Sequence, residues 1–74
     1  MNTQYFEIEF STPDGSYFMC IKGTRQPSIE EAQKFCQIDS EMYGGPVVSV
    51  DPIDELTARG CYDFDNEPNW PMFN

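Results

Sequence analysis

The segments that decide the fold are YFEIEF at residues 5–10, the turn STPDGS at residues 11–16 and YFMCIK at residues 17–22. In the first segment, apolar Phe6, Ile8 and Phe10 alternate with less apolar neighbours, which is the period-2 pattern of a strand buried on one face. The turn combines proline, aspartate and glycine, which favour tight turns. The sequence therefore predicts a β-hairpin whose outward face carries Glu7 and Glu9.

A main helix is predicted after the hairpin. Ser28 and Glu31 have the spacing of a capping box, with Ser28 as the N-cap, and the helix is expected to run over residues 29–43 until Gly44 ends it. Six apolar side chains share one side of this helix: Ala32, Phe35, Cys36, Ile38, Met42 and Tyr43. We expect this side to pack on the apolar face of the hairpin. Asp39 breaks the pattern because it falls within the apolar arc.

A third strand and a short second helix are predicted next. Residues 46–50 are β-branched and set off by glycines, and Asp51 followed by Pro52 is typical of an N-cap and a first helical position, with Gly60 as the end. The order ββαβα indicates an α+β fold with a three-stranded antiparallel sheet in the order 2-1-3. Residues 1–61 form the predicted compact domain. Residues 62–74 form an extended acidic and aromatic tail, either packed on the domain or partly mobile.

Charge is the strongest compositional signal. The 74 residues include 13 acidic and four basic side chains and no histidine, which gives a net charge of −9. This excess argues against nucleic acid and anionic membranes as direct partners and favours a basic protein surface. No apolar run is long enough for a membrane helix, and the N-terminus has no secretion-signal pattern, so we expect a cytoplasmic location.

Metal binding is not predicted. Cys36 and Asp39 share a helix face, and Cys20 and Cys61 would complete four ligands, but no C-x-x-C pair and no histidine is present. The three cysteines are an odd number at unpatterned spacing, which fits reduced, packed thiols better than disulfides.

The tail resembles the start of a calcium-binding loop. Asp63, Asp65 and Glu67 alternate as such ligands do, but Pro68 takes the place of the tight-turn glycine and Asn74 that of the bidentate glutamate. A solvated acidic stretch is the better interpretation, and we expect no metal and no cofactor.

No enzymatic activity is expected. The chain has no histidine and no nucleophile motif. Asp39 could act as a general base or pair with Arg25 or Arg59, but a solvated position at the end of the sheet is the simpler interpretation.

The predicted binding residues combine charge with aromatic anchors. They are Glu7 and Glu9 on the hairpin and Asp63, Asp65, Glu67 and Trp70 in the tail. The leading hypothesis is a non-enzymatic interaction module that occupies a basic, nucleic-acid-binding surface of a partner protein, as nucleic-acid mimics do. In size and charge balance the chain resembles accessory proteins of phages and mobile elements, including inhibitors of host defence. The alternative is a peptide- or strand-binding adaptor, or a homodimer, whose charge serves only solubility.

Overall fold

The hairpin is present in the computed structural model, which describes residues 2–62 and 70–74. Strand β1 spans Gln4–Thr12 and β2 spans Gly15–Gly23. The two strands pair antiparallel from Gln4 opposite Gly23 to Thr12 opposite Gly15. Gly15 has a φ of 123°, a conformation that side-chain-bearing residues rarely adopt, so the glycine in the turn is required by its backbone geometry.

The sheet contains one strand more than the sequence predicts. Strand β3 (Val47–Ile53) pairs antiparallel with β1, and β4 (Met72–Phe73) pairs parallel with β2. The order is β3-β1-β2-β4, so β1 lies between β2 and β3 as expected. The prediction of a three-stranded antiparallel sheet is wrong because the end of the chain returns to the edge of β2 and adds a short parallel strand.

The predicted main helix is two helices. Helix α1 spans Ile29–Phe35 and α2 spans Gln37–Tyr43, and Cys36 between them has non-helical angles of φ −106° and ψ 26°. The capping box is confirmed: the Ser28 hydroxyl accepts a hydrogen bond from the Glu31 amide at 3.1 Å, and the Glu31 carboxylate accepts one from the Ser28 amide at 3.0 Å. Gly44, with a φ of 93°, ends α2 as predicted.

The break at Cys36 changes which side chains of α2 are buried. Ile38 and Met42 were expected to pack on the sheet, but they are 80% and 69% exposed. Ser40 is the buried residue of α2 instead, and its hydroxyl donates to the Gly45 carbonyl at 2.6 Å. The prediction of one continuous apolar helix face is therefore wrong, because the turn at Cys36 ends the regular spacing on which that face depended.

The core lies between helices α1 and α2 and one face of the sheet, whereas the third helix, α3 (Glu55–Cys61), packs against the other face, where Tyr62 donates a hydrogen bond to Glu7. Its buried members are Phe6, Ile8, Phe10, Ile21, Ala32, Cys36, Val47, Val50 and Phe73. Burial raises the pKa of the Cys36 thiol to about 11, so the thiol is neutral and packs as a small apolar group. Phe73 comes from β4 and meets Phe35 edge-on at 5.5 Å, so the end of the chain contributes to the core.

The third helix begins later than expected. Helix α3 spans Glu55–Cys61, and its N-cap is Asp54, whose carboxylate accepts a hydrogen bond from the Thr57 amide at 2.6 Å. Asp51 and Pro52, predicted as cap and first helical residue, lie in β3 because the ladder with β1 continues to Ile53. Among the described residues, no helix is long and apolar enough to cross a membrane.

Two glycine substitutions test this packing. A Cβ on Gly45 would overlap the backbone of Ser11 and Thr12, whereas one on Gly60 meets nothing within 4 Å. Gly45→Ala should lower the free energy of unfolding by about 2 kcal/mol, as overpacking typically does. Gly60→Ala should raise it by about 0.5–1 kcal/mol, because Gly60 lies in α3 and alanine favours a helix. Urea unfolding of both variants measures the difference, and equal stabilities would contradict the close contact.

Candidate functional site

The second face of the sheet collects carboxylates from two strands. Glu7 lies opposite Asp51 of β3, and Glu9 lies opposite Ser49. Residues directly opposite one another in an antiparallel pair point to the same side of the sheet, and residues two apart in a strand do so too. Glu7, Glu9 and Asp51 therefore share the face that points away from the core, which we call the acidic face.

Neutral hydroxyl groups hold the two glutamates of the acidic face. The Tyr62 hydroxyl donates to the Glu7 carboxylate at 2.7 Å, and the hydroxyls of Ser16 and Ser49 donate to the Glu9 carboxylate at 2.8 and 3.1 Å. A hydroxyl donor orients a carboxylate but carries no charge of its own. These bonds therefore orient the glutamates without themselves adding positive charge.

The opposition of Glu7 and Asp51 is electrostatically unfavourable. Side chains opposite one another on neighbouring strands have Cβ atoms about 5 Å apart, and like charges in such pairs destabilise a sheet. Asp51 is exposed and Glu7 is half-buried, so water screens the repulsion only in part. The fold therefore places two like charges next to each other on this face.

Aromatic side chains line one end of the acidic face. Tyr62 follows α3, and burial together with its hydrogen bond to Glu7 raises the pKa of its phenol well above the ordinary value. Tyr5 shares the face with Glu7, and the ring of Trp70 meets it edge-on at 5.9 Å. Lys22 lies opposite Tyr5, so this end of the face also carries one basic residue.

The ion pairs of the described residues engage carboxylates on the helices. Arg25 forms a two-pronged ion pair with Glu31 at 2.7 and 3.0 Å, and this contact lowers the pKa of Glu31 to about 2. Arg59 pairs with Glu55 at 2.8 Å. These two arginines were the possible partners of Asp39 in the alternative to a solvated position, and Asp39 is half-buried in α2. These two ion pairs join the arginines to carboxylates of α1 and α3.

The predicted site residues have three outcomes. The structure brings Glu7 and Glu9 together on one face and places Trp70, half-buried, at the end of it. Asp63, Asp65 and Glu67, with the calcium-like spacing, lie outside the described residues. Asp51 also belongs to the face, a position not predicted from the sequence, because the dipeptide Asp51-Pro52 has the local pattern of a helix start. The alternation of Ser49, Asp51 and Ile53 was the signal that could have placed it on a strand.

The cysteines are free thiols in different surroundings. Cys20 and Cys36 are buried, and Cys61 is exposed, so the expectation of packed thiols is wrong for Cys61. Burial raises the pKa of Cys20 to about 11. Within the described part of the chain, no three cysteine, histidine or acidic side chains are grouped as metal ligands, and no pocket opens on the surface.

Comparison with known proteins adds no assignment, since no family model, no curated protein and no solved structure matches the chain. The function is therefore argued from the acidic face and from the edges of the sheet.

The contact between Tyr62 and Glu7 predicts a pH dependence. The raised pKa of Tyr62 favours the folded state below pH 10, the ordinary pKa of tyrosine, and this contribution is lost as the pH rises above that value. Tyr62→Phe should therefore unfold with a smaller loss of stability above pH 10 than the natural protein. Urea unfolding of both proteins below pH 9 and above pH 10 measures how the free energy of unfolding changes with pH.

An absorbance titration of the four tyrosines provides the matched readout. One tyrosine of the natural protein should ionise only at higher pH than the ordinary value, and Tyr62→Phe should remove that step. Tyr17→Phe, which changes an exposed residue, is the control and should keep it. A late step that persists without the Tyr62 hydroxyl would contradict the assignment.

Proposed function

We propose that this chain is a non-enzymatic interaction protein whose acidic face occupies a basic surface of a partner protein. The observation that carries the proposal is the placement of Glu7, Glu9 and Asp51 on one face of neighbouring strands, with the hydrogen bonds to both glutamates donated by neutral hydroxyls. The net charge of −9 adds a long-range field that would attract a basic partner.

The acidic face is suited to this role because it is rigid. Glu7 and Glu9 are about 7 Å apart along β1, since two residues of a strand span that length. The central strand is hydrogen-bonded on both sides, so binding would cost little backbone entropy. Lysine or arginine side chains on the partner would also relieve the repulsion between Glu7 and Asp51, which favours the bound state further.

The proposal includes a nucleic-acid-binding protein as the partner class. The lysine and arginine groups that bind phosphates are also the groups that a fixed set of carboxylates can engage. The chain would then compete with nucleic acid for that surface, as a small inhibitor from a phage or a mobile element would do. This extension is supported by the net charge of −9 in 74 residues, which has the sign of a nucleic acid.

A second candidate is a strand-binding or homodimeric domain in which the charge serves only solubility. The observation that favours it comes from β2, where Tyr17 and Phe18 are exposed close to the hairpin turn. The first charged residue of this strand is Lys22, near its end. Salt distinguishes the two candidates, because charge-driven binding weakens steeply with ionic strength and strand addition does not.

A pair of matched charge variants tests the proposal. The first variant, Glu7→Gln with Glu9→Gln and Asp51→Asn, neutralises the acidic face. The second, Asp14→Asn with Glu30→Gln and Glu41→Gln, removes the same charge from exposed positions elsewhere. Partners captured from the source cell at low salt are identified, and calorimetry measures their affinity for each variant.

The first variant should bind at least about tenfold more weakly, and the control should stay close to the natural affinity, because only the first loses contacts at the interface. Free nucleic acid should displace the natural protein from the same partner. An equal loss in both variants, or an affinity that does not change with salt, would contradict binding through the acidic face.

A further inference from the structure

The outer edge of β3 is closed to strand addition. The Val47 amide donates to the Gln33 side chain at 2.7 Å, and the Val50 carbonyl accepts from the Gln26 side chain at 3.0 Å. Pro52 follows two residues after Val50 and so directs its nitrogen, which has no hydrogen, to the same edge. Side-chain amides and a proline on an edge strand prevent further pairing.

Over most of its length, the outer edge of β2 has no such protection from the residues that the structure describes. The Lys22 amide points away from β1, since it donates to the Pro71 carbonyl at 2.8 Å. Because backbone groups alternate along a strand, the amides and carbonyls of Ser16, Phe18 and Cys20 point to the same edge. Among the described residues, β4 is the strand that pairs there, and it covers only Lys22 and Gly23.

The sequence of this open edge favours contact. Residues 15–21, GSYFMCI, contain no charge and no proline in a chain that carries 13 acidic side chains. Tyr17 and Phe18 are 42% and 47% exposed. An uncharged aromatic strand with free backbone groups is a site of uncontrolled aggregation unless another strand covers it. A charged partner strand would find no opposite charge among residues 15–21. Two identical copies of this strand, by contrast, can pair without bringing carboxylates together along the contact.

We propose that a second copy of this chain covers the edge, with β2 pairing antiparallel to β2 about a twofold axis at Phe18. This register follows from the length of the open segment. No described strand covers the outer edge of residues 15–21, residue 18 is their centre, and pairing with β4 begins at residue 22. Phe18 then pairs with its own counterpart, and Ser16 pairs with Cys20 of the other copy. Each such pair exchanges both of its outward hydrogen bonds.

The symmetry of this pairing closes the assembly. The twofold axis is perpendicular to the sheet, so two copies form one continuous sheet whose outer edges are both β3. Those edges are blocked by Gln26, Gln33 and Pro52, so the pairing ends at two copies and does not continue into fibres. Both acidic faces lie on the same side of the joined sheet. The inference specifies the homodimer named above as the second candidate; it rests on the edges of the sheet and does not depend on the acidic face.

Sedimentation of the full chain over a range of concentrations and salt tests the inference. We expect a monomer–dimer equilibrium in which the dimer becomes tighter as salt rises, because two copies of net charge −9 repel each other. This is opposite to the salt dependence expected for a basic partner, so failure of one proposal is distinguishable from failure of the other. A natural protein that stays monomeric up to millimolar concentration, or that forms fibres, would overturn the inference.

A matched pair of lysine substitutions locates the contact. Phe18→Lys places two ammonium groups opposite each other on the twofold axis and should weaken the dimer at least about 100-fold. Val48→Lys, at a residue of β3 that is 42% exposed, should leave the dimer unchanged. A dimer that survives Phe18→Lys, or that both variants weaken equally, would overturn the proposed seam.

Amide exchange of the natural protein gives a readout that needs no variant. The amides of Ser16, Phe18 and Cys20 should exchange more slowly as concentration rises, whereas that of Val47, already bonded to Gln33, should not change with concentration. Exchange at the three β2 amides that does not depend on concentration would overturn the pairing, even if Phe18→Lys fails to fold.

Discussion

The pairing of β1 with a strand on each side is the constraint on which the rest of the structure depends. The register that buries Phe6, Ile8 and Phe10 completely also directs Glu7 and Glu9 to the opposite face. A slip by one residue would exchange the two sets and bury the carboxylates, which fixes the register strongly. The charged surface is therefore positioned by the core and needs no separate structural support.

Patterns confined to a few neighbouring residues were predicted correctly. The alternation around Ile8 specifies a strand, the residues of the turn specify the hairpin, and Ser28 with Glu31 specifies a helix start, because each of these signals acts through local backbone geometry. The central place of β1 also followed, since a helical connection from β2 leads to a strand parallel to β2. The same alternation places Glu7 and Glu9 on the outward face of the strand, as the register confirms.

Features decided by distant contacts were missed. Asp51 and Pro52 have the local pattern of a helix start, and only their pairing with Glu7 and Phe6 shows that they extend β3. No glycine or proline near Cys36 indicates the break between α1 and α2. Strand β4 pairs with residues about 50 positions earlier in the chain, a parallel contact that no local pattern encodes.

The two edges of the sheet differ in how they are protected, and neither is protected by charge. Edge strands are commonly protected by lysine, but this chain has only four cations, and Arg25 and Arg59 are engaged on the helices. Glutamine side chains and a proline protect β3 without charge. The chain is rich in acidic residues that could have protected β2 as well, yet residues 15–21 have none. Three of the acidic residues, Glu7, Glu9 and Asp51, lie on one face, and residues 15–21 at the edge of β2 carry none. The face and the edge can therefore serve different contacts at the same time.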